Sequence, residues 1–92
     1  MQSEQAIQTK IIKYLESLGA YTVKTVILNR AGVPDLLVCL NGLFIAIEVK
    51  KRGNTTSALQ KHHLNRIRRA NGISIVAFSV EDVKQVLAEE LI

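Results

Sequence analysis

The chain of 92 residues predicts an α/β fold in which a mixed four-stranded sheet carries helices on both faces. Amphipathic segments with helical spacing alternate with short apolar segments rich in Val and Ile. An Asn-Gly pair separates two of the apolar segments, and this pair is the strongest short-range signal for a β-hairpin. Because 48% of the residues are hydrophobic and only 4% are aromatic, we expect an Ile, Leu and Val core in a single domain, residues 1–92.

The predicted elements follow one another as helix, three strands, helix, strand and helix. Their predicted bounds are residues 4–18, then 20–26, 35–40 and 43–50, then 57–70 and 73–79, with a last helix that begins near residue 81. Residues 27–33 connect the first strand to the hairpin. Because the second helix links two strands, a right-handed crossover would place the last strand parallel to the strand before it.

Capping residues and apolar stripes define the helices. Ser3 is the expected N-cap of the first helix and Gly19 its terminator, while Ser57 begins the second helix and Gly72 lies past its end. The apolar stripes consist of Ile7, Ile11, Tyr14, Leu15 and Leu18 in the first helix, and of Val83, Val86, Leu87 and Leu91 in the last. These stripes predict that both helices pack on the sheet.

The hairpin brings acidic side chains together. If residues 41–42 form the two-residue loop of a type I′ turn, Asp35 falls directly opposite Glu48 on the same face, with Cβ atoms ~4.5–5.5 Å apart. Lys50 lies on that face too, two positions beyond Glu48. Like charges directly opposite destabilise a sheet, so a divalent cation such as Mg²⁺ is expected between them. The alternative is an exposed cluster of acids at the open end of the hairpin, bridged by Lys50.

Both faces of the hairpin are apolar. Beside the acids lie Leu37, Cys39, Phe44 and Ala46, and the opposite face carries Leu36, Val38, Leu40, Leu43, Ile45, Ile47 and Val49. A ribbon that is apolar on both faces is normally covered on both, so the hairpin is predicted to be central, with the acids at the mouth of a cleft. Cys39, the only cysteine, is expected to be a small buried hydrophobe, which fits a reducing intracellular setting.

The basic residues crowd beside the acids. The net charge is +4, and one stretch of the sequence contains Lys50, Lys51, Arg52, Lys61, Arg66, Arg68 and Arg69. By default these residues form a solvated face, and they would contact phosphates if the cleft binds a polyanion. No signal-peptide pattern and no apolar run near the ~18 residues of a membrane span is present, so a soluble, unsecreted protein without a membrane partner is expected.

Two polar residues at apolar helix positions have two interpretations each. Glu4 is either a first-turn carboxylate stabilised by the helix dipole or a third acid near the metal, through water. Gln60 either completes a capping box with Ser57 or faces the cleft, where it would bind the lysine, a carboxylate or a phosphate. On a helix the neighbouring residues 62–63, both His, diverge by ~100° and cannot chelate one ion together.

These residues give the chain a family likeness. It resembles a PD-(D/E)XK nuclease and, more closely, a stand-alone VRR-NUC domain, the virus-type replication-repair nuclease group. The likeness extends over Ser3, Glu4, Gln8, Asn29, Gly32, Val33, Pro34, Asp35, Glu48, Val49, Lys50 and Gln60. It implies a restriction-endonuclease-like core, phosphodiester hydrolysis dependent on Mg²⁺ or Mn²⁺, and, for small single-domain members, a homodimer acting on branched DNA in the manner of Holliday-junction resolvases. No nucleotide cofactor is expected.

The expected site follows from the residues and the resemblance together. Asp35 and Glu48 would bind the metal, and the resemblance adds the backbone carbonyl of Val49. Lys50 would remain charged beside the acids and contact the attacking water and the phosphate. The full catalytic set is Asp35, Glu48, Lys50, Glu4 and Gln60, and the expected DNA contacts are Arg30, Gly32, Lys51, Arg52, Lys61, Arg66, Arg68 and Arg69.

Some alternatives stay open. Gly32 either lets the backbone approach the substrate or serves only its turn. The alternatives to a metal-dependent nuclease are a non-catalytic DNA-binding module, a nuclease subunit that needs a partner, and a purely structural domain. Because no residue pattern suggests a base reader, DNA recognition is expected to depend on shape.

Overall fold

A computed structural model describes residues 2–26 and 29–90 of the chain. Its elements are α1 (Glu4–Ser17), β1 (Tyr21–Lys24), β2 (Leu36–Leu40), β3 (Leu43–Val49), α2 (Ala58–Arg69), β4 (Ile73–Ala77) and α3 (Val80–Glu90). They confirm the predicted order. Leu91 and part of the predicted connection, residues 27–28, lie outside the described residues. In the described ranges no helix has the length and hydropathy of a membrane span.

Two strands end earlier than predicted. β4 stops at Ala77 rather than at residue 79, because the Phe78 N–H donates to Asp82 Oδ2 (2.8 Å) and α3 begins at once. β1 ends at Lys24 rather than at residue 26, although the Thr25 N–H still donates to the Asp35 carbonyl (2.9 Å). This last bond ties the end of β1 to the start of the hairpin.

The four strands form one mixed sheet in the order β1-β2-β3-β4. The pairs β1/β2 and β2/β3 are antiparallel, and β4 runs parallel to β3, as the helical crossover predicts. In the hairpin Leu40 pairs with Leu43, and both turn residues have positive φ, 51° at Asn41 and 79° at Gly42. This is the predicted two-residue turn, and it fixes the register in which β2 pairs with β3.

The core lies between the sheet and the α1/α3 pair. Buried side chains of both helices pack against one face of the strands; the core residues are Ile7, Ile11, Leu15, Leu36, Val38, Leu40, Ile45, Ile47, Val49, Ile75, Ala77, Val83 and Leu87. α2 covers the opposite face, where Leu64 is buried and its carbonyl accepts from Ser74 Oγ (3.0 Å). Helices therefore lie on both faces of the sheet, as predicted.

The opposite face is only partly covered, which corrects the expectation of a hairpin buried on both sides. α2 packs on β4 and reaches β3 through the Gln60–Glu48 hydrogen bond, while Cys39 on β2 is exposed and Phe44 on β3 is 49% exposed. A helix is ~10 Å wide and strands are ~4.8 Å apart, so one helix covers about two strands. The prediction of a buried Cys39 is wrong for this reason. An open sheet surface remains beside α2, with Asp35 and Glu48 at one end.

Candidate functional site

Asp35 and Glu48 meet at the open end of the hairpin. The ladder ends at the pair Leu36 and Ile47, so these two acids are the next opposed positions. Asp35 Oδ2 crosses to the neighbouring strand and accepts from the Val49 N–H at 2.9 Å. Behind it, Thr25 Oγ1 donates to the Pro34 carbonyl (2.6 Å) and holds the entry to β2. The predicted juxtaposition of the two acids is present.

Glu48 is a buried carboxylate with an incomplete set of partners. Its side chain is 3% exposed, and Oε2 accepts from Gln60 Nε2 at 3.1 Å and lies 3.5 Å from Lys50 Nζ. The other oxygen, Oε1, is buried and has no hydrogen-bond partner among the described residues. Burial, followed by the negative charge of Asp35, raises the pKa of Glu48 from 4.5 to about 7.

The pKa of Asp35 is also raised. Burial is the largest cause, and the Val49 N–H opposes it by stabilising the carboxylate. The charge of Glu4 raises the pKa of Asp35 and of Glu48, so three acids share one field. Lys50 opposes this effect at both carboxyls without cancelling it. Two neighbouring carboxyls whose pKa values are both raised mark this end of the hairpin as a candidate functional site.

Gln60 fulfils both of its predicted roles at once. Its Oε1 accepts from the Ser57 N–H (2.9 Å) and its own N–H donates to Ser57 Oγ (3.1 Å), which completes the capping box. Because Oε1 is used by the cap, Nε2 is left to donate to Glu48. The start of α2 thus orients the buried carboxylate.

Glu4 tethers the loop that follows Lys50. Its Oε2 accepts from the Lys51 N–H (3.4 Å) and from Asn54 Nδ2 (3.3 Å), while Ser3 caps α1 by accepting from the Ala6 N–H (3.1 Å). The part of the chain that the structure describes contains no group of three or more His, Cys, Asp or Glu placed to hold a metal ion. The charge of Glu4 acts on the acidic pair, but its side chain is hydrogen-bonded to the loop after Lys50. Its contact with Asn54 was not predicted.

The donor set fits a hard divalent cation on two carboxylates. Mg²⁺ is commonly bound through one or two carboxylates and completes its octahedron with water and phosphate oxygens. Glu48 Oε1, buried and without a donor in the described ranges, is an oxygen that such an ion would satisfy. Asp35 and Glu48 are the two carboxylates on which this fit depends, and Lys50 lies beside Glu48.

The predicted DNA-contact residues are dispersed. Arg30 and Arg66 line a pocket of about 580 Å³ on the α2 side of the sheet. Lys51, Arg52, Lys61 and Arg69 are exposed. The guanidinium of Arg68 donates through Nη2 to the Ser74 carbonyl (3.1 Å), so this arginine also ties α2 to β4.

Gly32 serves the packing of its turn. Its φ is +79°, and a Cβ added there would lie 2.6 Å from Leu59 Cγ on α2. Nearby, His63 Nε2 donates to the Ala31 carbonyl (2.9 Å), a contact that helical periodicity did not indicate. The loop before β2 is therefore clamped onto α2, and the turn interpretation of Gly32 is the one with structural support.

Solved structures with the same fold identify the family. The sequence matches no protein-family model and no curated protein. A solved structure described as "VRR_NUC domain" is 30% identical, with 94% of each chain covered and a TM-score of 0.80. A second, "VRR_NUC domain protein", shares the fold at 19% identity and a TM-score of 0.75, with 95% of this chain and 86% of that chain covered. This protein is thus a nuclease-like domain, and the chain belongs to the VRR-NUC domain family.

Proposed function

We propose that this domain is a metal-dependent endonuclease that hydrolyses phosphodiester bonds in branched DNA such as Holliday junctions. The observation that carries the proposal is the burial of the Glu48 carboxylate and its incomplete hydrogen bonding. This carboxylate is buried beside Asp35, and one of its oxygens has no donor in the described ranges. Gln60 and Lys50 contact only the other oxygen, Oε2, and a buried polar atom without a hydrogen-bond partner is unfavourable, so the described residues leave Oε1 uncompensated.

Asp35, Glu48 and the backbone carbonyl of Val49 would hold Mg²⁺ or Mn²⁺, with Glu4 contributing through water. When bound, the ion supplies the positive charge that polarises the scissile phosphate and lowers the pKa of a bound water. The protein itself keeps the two carboxylates in place. The Val49 N–H orients Asp35, and the Gln60 amide, fixed by its capping box, orients Glu48.

Lys50 is the positively charged group of the proposed site. Its side chain is 15% exposed and its Nζ lies 3.5 Å from Glu48 Oε2. From there the ammonium would position the attacking water and stabilise the negative charge that develops on the phosphate oxygens. Because Glu48 also anchors it, Lys50 is held close to the reacting atoms before the substrate arrives.

The DNA would follow the basic surface next to these residues. Lys51 and Arg52 come directly after Lys50 and are exposed, as are Lys61 and Arg69 on α2. Each phosphate contact on duplex DNA should contribute about −0.9 to the slope of log K against log salt. Symmetric cleavage of a junction needs two active sites, so the proposal includes a homodimer.

A substrate panel tests the proposal. The purified protein is incubated with a four-way junction, a flap and a plain duplex in Mn²⁺, Mg²⁺ or EDTA, beside Asp35→Asn, Glu48→Gln and the matched control Glu81→Gln, an exposed acid on α3. We expect metal-dependent cleavage of branched DNA by the wild type and the control only. Junction binding without cleavage in any metal would identify a DNA-binding module instead, and cleavage in EDTA would refute the metal-dependent mechanism.

A further inference from the structure

A pocket lies on the same face of the sheet as the acids, at the opposite end of the hairpin. The pocket of about 580 Å³ is open to solvent and is bordered by the β2–β3 turn, α2 and the segment at Arg30; its lining includes Arg30, Phe44, His62, His63, Arg66 and Ile67. Phe44 and Glu48 are four residues apart on β3 and share a face. At ~3.3 Å per residue, the pocket lies ~13 Å from the acidic pair.

The lining combines positive charge with an available aromatic ring. Arg30 and Arg66 contribute two guanidinium groups, and none of the described residues that line the pocket is acidic. Phe44 is 49% exposed, so part of its ring is accessible to a ligand. Aromatic rings in basic grooves are the usual stacking platforms for unpaired bases. Duplex DNA offers phosphates but no free base face.

We propose that this pocket binds one unpaired nucleotide of the DNA, with its base stacked on Phe44 and its phosphates bound by Arg30 and Arg66. The inference deepens the proposed function and rests on it, because the acids would cut the strand that the pocket holds. At ~3.4 Å per stacked nucleotide, ~13 Å corresponds to about four nucleotides. The preferred substrate would therefore be branched DNA with a short single-stranded arm.

Charge favours nucleic acid over a second copy of the chain as the occupant. The chain carries a net charge of +4, so another copy would bring more positive charge to two exposed arginines. A polyanion is attracted to the same surface. The pocket volume also falls within the ~300–1,000 Å³ typical of small-ligand sites, which suits one nucleotide better than a protein face.

Binding in EDTA tests the pocket without cleavage. Fluorescence anisotropy would measure the Kd of the full chain for a labelled oligo-dT and for a blunt duplex of equal length. We expect Phe44→Ala to weaken oligo-dT binding by about 5- to 150-fold, the effect of losing one stacked base, and duplex binding by less than about twofold. Phe44→Tyr should retain oligo-dT binding, and Arg66→Ala should reduce the salt slope by about 0.7.

The matched control is Tyr21→Ala. Tyr21 pairs with Cys39, which pairs with Phe44, so the two aromatic rings share one row of the open face; Tyr21 is 73% exposed but does not line the pocket. Its removal should leave the Kd for oligo-dT within about twofold. An equal loss of oligo-dT affinity in Tyr21→Ala would mean that the whole open face of the sheet binds the oligonucleotide, and it would overturn the proposal of a specific pocket. Thermal melting checks folding, and Phe44→Leu replaces Phe44→Ala if the latter unfolds.

The remaining outcomes separate the pocket from the nuclease. If the protein cuts no DNA but Phe44→Ala still loses oligo-dT binding, the nuclease proposal fails and the pocket stands. If Phe44→Ala binds oligo-dT like the wild type, the pocket proposal fails whether or not the protein cuts DNA. A change of Phe44→Ala from dimer to monomer by light scattering, with unchanged oligo-dT binding, would place Phe44 at a subunit interface and likewise overturn the proposal.

Discussion

The buried Glu48 predicts that the metal-free protein loses stability as the pH rises from about 5 to about 7. The pKa of Glu48 is about 7 in the folded state against 4.5 for the unperturbed group. Between these values the folded state holds a proton that the unfolded chain has released. Stability rises with pH only where the unfolded state binds more protons, so here the free energy of unfolding must fall. At about 1.4 kcal/mol per pKa unit, the fall is on the order of 3 kcal/mol.

Urea unfolding in EDTA at pH 5, 6, 7 and 8 measures this fall, with Glu48→Gln as the perturbation. Glutamine keeps the size of the side chain but cannot ionise, so the variant should lack this part of the slope and be more stable than the wild type at pH 8. The exposed Glu81→Gln should keep the wild-type slope. Saturating Mn²⁺ should flatten the wild-type profile, because the ion binds the ionised carboxylate and so stabilises the folded state more as the pH rises. Identical slopes for the wild type and Glu48→Gln would refute the reasoning.

Three further predictions follow from the described contacts. Lys50→Ala should lower cleavage at least about 100-fold while calorimetry still detects Mn²⁺ uptake, and loss of that uptake would contradict the separate role of the lysine. Gln60→Ala should lower both the free energy of unfolding and the cleavage rate. Ser57→Ala should lose only a helix cap, about 1 kcal/mol by urea unfolding, and keep most of its cleavage rate. Equal cleavage rates for the two variants would mean that Gln60 acts only as a cap. Gly32→Ala should destabilise the fold by more than Gly53→Ala, since both have positive φ but only Gly32 meets a neighbouring atom; equal losses in thermal melts would count against the Leu59 contact.

The hairpin and its acids were predictable because local chemistry determines them. A two-residue turn with positive φ at Asn41 and Gly42 leaves one register, and the register alone opposes Asp35 to Glu48. The sequence allowed two contacts for Gln60, one with its own helix cap and one with the neighbouring strand. The structure contains both, because a side chain at the start of a helix can reach the cap and the strand together. These features depend on residues that are close in sequence or paired across one turn.

The features that the sequence did not predict depend on where α2 packs on the sheet and on contacts between residues far apart in sequence. Whether Cys39 is buried is decided by how many strands one helix covers, and alternation of apolar residues carries no information on that. The contacts of Glu4 with Asn54 and of His63 with Ala31 join residues 50 and 32 positions apart. Such loop contacts have no periodic signal, so only the assembled fold reveals them.

The shared use of Gln60 links the first turn of α2 to the buried carboxylate. One side-chain oxygen closes the helix and the amide nitrogen of the same group holds Glu48, so fraying of that turn releases both in a single event. In the proposed nuclease, local opening of this helix end would therefore also misalign Glu48. By the same linkage, a cation on Glu48 should slow the hydrogen exchange of backbone amides at the start of α2, which makes the helix terminus a reporter of site occupancy.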